Sequence, residues 1–251
     1  MAQAEKKGYF ETEAANYNRA YDKVSDLRSF IFDERKRIVM DMFRLKGGKV
    51  LDVGCGPAVY TDILSKAGYE IYGVDPSENM IGIAKTKGFE NASFFVGTAE
   101  DLKFQDGFFD GVICVGVLEY LPDINRAIKE AARVSKHGAI AIFTVPNGTS
   151  LLNKLDGVTR GILRSVRRIF KAGFLENAIT YGYDTRYISR REIYGSLRKN
   201  GFEIEKSRFH IFRLSFLNKL FPKTSLAITK RMNFVSSPFI GIDHIIKARK
   251  R

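Results

Sequence analysis

The chain has 251 residues, of which 45% are hydrophobic and 27% are charged, so it can bury a full globular core as one domain with additions. Its two cysteines, Cys55 and Cys114, are too few for a disulfide scaffold and lack the spacing of metal ligands, which predicts a reducing cytoplasm and no metal requirement. The first residues contain no apolar signal core, and no apolar run has the length of a membrane span.

The net charge of +13 is concentrated in the last hundred residues. Residues 150–251 hold 22 Lys and Arg against 7 Asp and Glu, a net charge of +15, while residues 1–149 hold the other 19 and 21, a net charge of −2. Such a basic region suggests an anionic partner, which could be a membrane surface, a nucleic acid or a phosphorylated substrate.

Helix and strand patterns alternate after an N-terminal segment, residues 1–45, that we expect to form a helical lid. Short apolar runs predict strands, and helical spacing with Ser77 and Asp123 as N-caps predicts the helices between them. The predicted strands are Lys49–Val53, Glu70–Asp75, 92–97, Phe108–Val117 and 139–146. The predicted helices are Tyr60–Ala67, 78–87 and 124–134.

This alternation is typical of a parallel sheet covered on both faces. It is interrupted at residues 147–186 and resumes at Ser189, where a capping box with Glu192 opens a helix that Gly201 ends. Two more strand candidates follow, at 202–212 and 244–249. We therefore predict an α/β fold: a doubly wound, mostly parallel seven-stranded sheet with helices on both faces. Residues 46–251 form this domain, with a helical insertion at 147–186 as a substrate or membrane cap.

The turn after the first predicted strand reads "VLDVGCGPA". Asp52, Gly54 and Gly56 form a D-x-G-x-G pattern, but Val59 stands where a dinucleotide-binding loop has its third glycine. A carboxylate at Asp52 would repel a pyrophosphate and suits a cationic ligand group such as an α-ammonium, so we expect no NAD binding. Asp75 follows Asp52 by 23 residues, close to the spacing of about 20 at which an acid binds ribose hydroxyls.

Taken together, the stretches "VLDVGCGPA", "GVDPSENMI", "GTAEDL", "FFDGVICVGVLEYLPD" and "KHGAIAIFTVPN" resemble, in order, the motifs of class I S-adenosylmethionine-dependent methyltransferases of the small-molecule type. The resemblance covers about Val50 to Pro146. It departs at Ala58, where many members have a third glycine, and at Tyr120, where many relatives carry a histidine.

The resemblance implies S-adenosylmethionine (SAM) as methyl donor and S-adenosylhomocysteine (SAH) as product. It places Asp52 beside the donor's ammonium, the glycine turn beside its methionine part, Asp75 on the ribose hydroxyls and Met80 on the adenine. The full set of candidate donor-site residues is Tyr21, Asp52, Gly54, Cys55, Gly56, Asp75, Pro76, Met80, Ala99, Glu100 and Val115. For Cys55 we prefer the interpretation of a small packing residue to that of a redox-sensitive thiol.

Methyl transfer from a sulfonium requires alignment of donor and acceptor, and an oxygen acceptor also benefits from a base. The candidates for a catalytic role are Glu119, Tyr120 and His210, although a histidine among aromatic neighbours is more often a packing residue. His137 and His244 are expected to have structural or surface roles. Candidate substrate contacts are Tyr17, on the lid, and Tyr183 and Tyr187, before the capping box.

Residues Val158–Lys171 have an apolar face opposite an arginine-rich face when plotted as a helix. This pattern is typical of a helix that lies on an anionic membrane surface, and an ordinary surface helix packed on the domain is almost equally compatible with it. The position after strand five is similar to that of an insertion in quinone-pathway O-methyltransferases, an analogy of topology only.

The favoured function is SAM-dependent methyl transfer, preferably O-methylation, to a small, hydrophobic or membrane-associated acceptor, in the cytoplasm or on the inner face of the membrane. Two alternatives remain open: methylation of RNA or of a cell-surface or nucleotide sugar, and a non-catalytic membrane-binding scaffold. No recognisable RNA-binding module supports a nucleic-acid partner. The pattern leaves the acceptor and the oligomeric state undetermined.

Overall fold

The computed structural model of the protein describes residues 8, 11–12, 27–155, 158, 186–210, 221–232 and 236–251. Their strands form one seven-stranded sheet in the order β3-β2-β1-β4-β5-β7-β6. Neighbouring strands are parallel except β7, which runs antiparallel to both β5 and β6. The strands are β1 (Lys49–Val53), β2 (Glu70–Asp75), β3 (Ala92–Val96), β4 (Phe109–Cys114), β5 (Ser135–Pro146), β6 (Phe202–His210) and β7 (Asp243–Lys250).

Three of the described helices begin at polar caps that the sequence indicates. The Ser77 hydroxyl accepts a hydrogen bond from the Met80 N–H, and Asp123 and Ser189 cap their helices in the same way. None of the helices in the described ranges has the length and apolar character that crossing a membrane requires. The helices are α1 (Leu27–Met42), α2 (Thr61–Lys66), α3 (Glu78–Thr86), α4 (Ile124–Val134), α5 (Arg190–Lys199) and α6 (Pro222–Met232), with a 3₁₀ helix at Leu118–Tyr120 and a further helical stretch at 151–155.

Both faces of the sheet are buried, which confirms the predicted doubly wound fold. Successive residues of a strand point to opposite faces, so Val50 packs in one cluster with Val39 of α1, and Leu51 packs in the other with Ile128 of α4. Since Val39 is fully buried, α1 belongs to the helical layer that covers the sheet. Most of the predicted lid before α1 and most of the predicted insertion lie outside the described residues, so the division at residue 45 stays a prediction.

Two strand boundaries differ by more than two residues from those predicted. β4 ends at Cys114 instead of Val117, because Gly116 adopts a φ of 70° and the chain turns into the 3₁₀ helix. β5 begins at Ser135, directly after α4, instead of at residue 139, because Ser135 already pairs with Phe109 across a register irregularity. The first difference matters for function, since it places the 3₁₀ helix at the carboxyl edge of the sheet.

Gly73 on β2 provides a test of core packing behind the glycine turn. A Cβ at this position would stand 2.6 Å from Cδ1 of Phe94 and 2.9 Å from Sγ of Cys55. We expect Gly73→Ala to lower the free energy of unfolding by about 1–3 kcal/mol, as overpacking does. Urea unfolding measures this change.

The matched control is Gly195→Ala on α5, where no described atom lies within 4 Å of the added Cβ. Because alanine is favoured over glycine inside a helix, this variant should gain about 0.5–1 kcal/mol. If Gly73→Ala is as stable as the wild type, the close packing of β2 against Phe94 and Cys55 is contradicted.

Candidate functional site

The candidate site lies at the carboxyl ends of β1, β2 and β4, where the strand order reverses and open α/β sheets bind their ligands. The turn after β1 is pinned to β2, because the N–H groups of Gly54 and Cys55 both donate to the carbonyl oxygen of Val74, at 2.7 and 3.1 Å. Gly56 has a φ of 53°, and a Cβ on it would meet no described atom within 4 Å. The turn therefore leaves room for a ligand to approach its backbone.

Ala58 occupies the third position of the turn and has a φ of 61°. Glycine adopts this left-handed conformation most easily, whereas for an alanine the conformation costs about 1–2 kcal/mol. The backbone path expected for a third glycine is thus retained although the residue differs.

Asp75 lies at the end of β2 and accepts hydrogen bonds from two backbone groups. Its Oδ2 accepts from the Gly56 N–H and its Oδ1 from the Ser77 N–H, both at 2.9 Å. Burial raises the pKa of this carboxyl group, and the two backbone donors oppose the rise. Each carboxylate oxygen has a second lone pair, so a ligand with two neighbouring hydroxyls, such as a ribose, fits this acid.

Asp52 on β1 is the buried acid of the site, with 2% of its surface exposed. Its Oδ2 finds no hydrogen-bond partner among the described residues. Burial, and then the nearby charge of Asp75, raise the pKa of Asp52 to about 8. A buried carboxylate without a partner is unfavourable, and a cationic ligand group beside it would compensate. The residues present therefore fit the ammonium end of SAM.

The other candidate donor-site residues within the described ranges surround this turn or lie on neighbouring strand ends. Met80 and Ala99 are buried, and Pro76, Glu100 and Val115 are half-buried. Cys55 is buried, and burial raises the pKa of its thiol well above the ordinary range, which agrees with the packing interpretation. Tyr21 lies outside the described residues.

Glu119 lies on the 3₁₀ helix that follows β4. It is 7% exposed, and its Oε2 has no hydrogen-bond partner in the part of the chain that the structure describes. Burial raises the pKa of Glu119 to about 7, although the positive charge of Arg35 opposes the rise. A carboxyl group that titrates near neutral pH is suited to accept a proton from a substrate. Tyr120, the next residue, is half-buried.

The remaining candidates on the acceptor side are placed differently. His210 ends β6 next to Asp243 and is buried, and burial lowers its pKa to about 4, so the ring is neutral at pH 7. Tyr187 is 37% exposed, close to the point where the Arg186 N–H donates to the Glu119 carbonyl oxygen. His244 stacks on Phe209 with 4.2 Å between ring centroids, a packing role. Tyr17 and Tyr183 lie outside the described residues.

The structure adds two residues that sequence reasoning missed. Arg35 on α1 donates from Nε and Nη2 to Oδ2 of Asp243, at 3.1 and 2.6 Å. The two residues are separated by 208 positions along the chain, and neither belongs to a recognised motif. The glycine at position 116, next to Arg35 and Glu119, is the local feature that could have indicated a site here.

The sheet order, the glycine turn and the two acids at the ends of β1 and β2 agree with the class I SAM-dependent methyltransferase domain that the sequence resembles. Residues 51–143 match the family described as a methyltransferase domain.

The similar curated proteins include the demethylmenaquinone methyltransferases of Staphylococcus carnosus and Staphylococcus aureus, 42% and 40% identical to this chain over 134 residues. Each alignment covers 51% of this chain and 56% of the relative, so the chain spans about half the length of the curated relatives it matches.

Solved structures with the same fold cover nearly all of the chain. One is a SAM-dependent methyltransferase from Thermotoga maritima, described as a possible histamine N-methyltransferase, with a TM-score of 0.68, 21% identity and coverage of 96% of this chain and 98% of the other. Another is the magnesium protoporphyrin IX methyltransferase of Synechocystis PCC 6803 with bound SAH, with a TM-score of 0.65, 19% identity and complete coverage of both chains. At these identities the likeness shows the fold.

The pKa of Asp52 makes stability depend on pH in a defined direction. In the folded chain Asp52 keeps its proton up to about pH 8, whereas an unfolded chain loses it near about pH 4. Between these values the folded state binds more protons, so the free energy of unfolding falls as the pH rises, by up to about 1.4 kcal/mol per pH unit. Asp52→Asn should flatten this dependence, as measured by urea unfolding without SAM between about pH 5 and pH 8.

Glu119 acts in the same direction up to about pH 7 and remains in the variant, so the difference between the two proteins isolates Asp52. Asp62→Asn, an exposed substitution on α2, controls for the change to an amide. Parallel curves for wild type and Asp52→Asn would show that Asp52 is ionised in the folded protein.

Proposed function

We propose that the protein transfers the methyl group of SAM to a small, hydrophobic acceptor that carries an ionisable hydroxyl. The observation that carries the proposal is a pair of buried carboxyl groups at one sheet edge, Asp52 and Glu119, each with an oxygen that lacks a partner among the described residues. Asp52 is suited to bind the cationic donor, and Glu119 is suited to accept a proton from the acceptor.

On the donor side, bound SAM would supply an electrophilic methyl group on a sulfonium. The chain's own residues bind and orient the donor: Asp52 compensates its ammonium, Asp75 accepts from its ribose hydroxyls, and the Gly56 backbone leaves room for the methionine part. Holding the two reactants in line is the main source of acceleration in such a transfer.

On the acceptor side, a hydroxyl reacts faster once its proton is removed, and Glu119 is the residue we assign to this step. The names of the curated relatives give demethylmenaquinone as their acceptor, a quinone, which supports a hydrophobic molecule here. Transfer to the hydroxyl oxygen remains the favoured chemistry within this proposal.

The donor and the acceptor are tested together by incubating the protein with a cell extract and SAM that carries a labelled methyl group. Mass spectrometry should find the label in one small, apolar product. Asp75→Ala should weaken SAM binding by about 2–3 kcal/mol, because hydrogen bonds to a charged group are lost, and should reduce labelling accordingly. Asp101→Ala, an exposed acid paired with Lys103, is the control.

Label in RNA or in a sugar would support the alternative acceptors. If SAM binds and no molecule is labelled, the protein is a scaffold and the proposed activity is wrong.

We further propose that the acceptor is reached at a membrane surface. The support is the basic C-terminal region and the amphipathic pattern of residues 158–171, of which the structure describes Val158, 60% exposed. An apolar face and a basic face on one helix act together at an anionic bilayer.

Removing three arginines tests this proposal. At low salt, binding to anionic vesicles should weaken by about 3 kcal/mol at most, because each basic residue near the surface contributes about 1 kcal/mol. The effect should shrink at physiological salt, where charges are screened over about 8 Å. Cosedimentation measures it for the variant with Arg164, Arg167 and Arg168 replaced by Gln.

The control replaces three apolar residues of the same segment with Ser. A helix on the membrane would lose vesicle binding with little change in melting temperature, whereas a helix packed on the domain would melt lower through lost buried area. If the wild-type protein does not bind anionic vesicles at low salt, the proposed membrane role is wrong. The control substitutions are Ile162→Ser, Val166→Ser and Ile169→Ser.

A further inference from the structure

Arg35 reaches from α1 to the beginning of β7 and is held there by Asp243. Two of its nitrogens, Nε and Nη2, donate to the same carboxylate oxygen at 3.1 and 2.6 Å. The two side chains are mostly buried, 18% and 13% exposed. Because the guanidinium is planar and rigid, two anchored nitrogens also determine the direction of the third, Nη1.

Gly116 lies between this third nitrogen and Glu119. A Cβ on Gly116 would stand 3.8 Å from Nη1 of Arg35 and 3.9 Å from Oε1 of Glu119. Its φ of 70° is left-handed, and its N–H donates to Oγ1 of Thr144 at 2.9 Å, which fixes the backbone. The missing side chain therefore leaves a small space that a cation and a carboxylate both border.

The carboxylate at this space has hydrogen-bonding capacity left. Oε2 of Glu119 is buried and has no partner within the described ranges. Among the described residues, the titratable and charged groups near Arg35 and Glu119 include Asp243 of β7, His210 of β6, and Glu34 and Arg37 of α1. Asp243 is engaged by Arg35, and burial lowers the pKa of His210 to about 4, so Glu119, which borders this space, is the stronger base for a proton from a ligand there.

We propose that the space at Gly116 seats the hydroxyl oxygen of the methyl acceptor, with Glu119 as the proton acceptor and Arg35 as the residue that stabilises the resulting oxyanion. This assignment rests on the proposed methyl transfer and narrows its acceptor to a phenol or an enol. The O–H bond breaks and its electron pair stays on the acceptor oxygen. The proton forms a new O–H bond on the Glu119 carboxylate, so one negative charge moves from Glu119 to the acceptor, beside the guanidinium.

The chemistry of the two groups selects the acceptor. An aliphatic alcohol is too weak an acid to lose its proton to a carboxylate, and an ammonium would be repelled by Arg35. A phenol or enol gives a delocalised oxyanion that a neighbouring guanidinium stabilises.

The test uses 4-nitrophenol, a phenol that ionises near neutral pH and whose phenolate absorbs visible light. Its ionisation is followed by absorbance against pH with wild-type protein saturated with SAH. An opposite charge within about 4–6 Å lowers an acid's pKa by about 1–3 units, so the bound probe should ionise at least about one pH unit below the free probe.

Three variants locate the effect. The double variant Arg35→Gln with Asp243→Asn removes both charges of the ion pair, so Asp243 is not left as an unpaired acid. It should abolish the lowering of the probe's pKa and weaken probe binding about tenfold. Gly116→Ala fills the space and should also abolish the shift. Gly138→Ala, at a φ of 84° and with no described atom within 4 Å of the new Cβ, controls for backbone strain and should behave as wild type.

If the double variant melts lower, Arg35→Lys, which keeps the cation, provides a second measurement and should retain part of the shift. Calorimetry with SAH separates the two levels of the proposal. If the wild-type protein does not bind SAH, the proposed function itself is wrong. The assignment of the space at Gly116 would be overturned if wild-type protein bound SAH but left the pKa of the probe unchanged. It would also be overturned if the double variant lowered that pKa as much as the wild type does.

Discussion

The carbonyl oxygen of Val74 receives two hydrogen bonds, from the N–H groups of Gly54 and Cys55, and this contact ties the turn after β1 to the end of β2. With the turn held there, the Gly56 N–H points at the carboxylate of Asp75, and Asp52 is enclosed behind the turn. Phe94 and Cys55 pack so closely around Gly73 that β2 has no room for a side chain at this position. The geometry of the donor site follows from this single junction between neighbouring parallel strands.

The site stores electrostatic free energy in the absence of a ligand. Asp52 and Glu119 are both buried, and burial raises the pKa of each carboxyl group, to about 8 and about 7. Folding thus keeps two acids in surroundings that favour their neutral forms. A cationic donor at the first acid and an ionisable acceptor at the second would each relieve part of this penalty, so the same burial that reduces stability favours binding and proton transfer.

The fold could be predicted from local patterns because each pattern has a local physical cause. Short apolar runs identify the strands, and Ser77, Asp123 and Ser189 begin helices because their side chains accept hydrogen bonds from backbone N–H groups a few residues away. The predicted end of β4 lies three residues too late, because "VICVGV" is apolar apart from Gly116, and a single glycine in such a run does not fix where the strand ends. The start of β5 was predicted too late because the polar residues after Ser135 hide its pairing with Phe109.

The sequence by itself determined the class of the domain and the candidate donor side of the site, since Asp52, the glycine turn and Asp75 lie within 24 consecutive residues and their spacing reflects the geometry of one strand–turn–helix–strand unit. Only the tertiary structure decided the proposed acceptor side. Arg35 and Asp243 meet across 208 residues because α1 covers the sheet and β7 inserts between β5 and β6, and no local pattern encodes that contact. Asp52 and Glu119 each have an oxygen without a partner among the described residues, and this too is a property of the folded chain, because burial arises only when distant elements pack together.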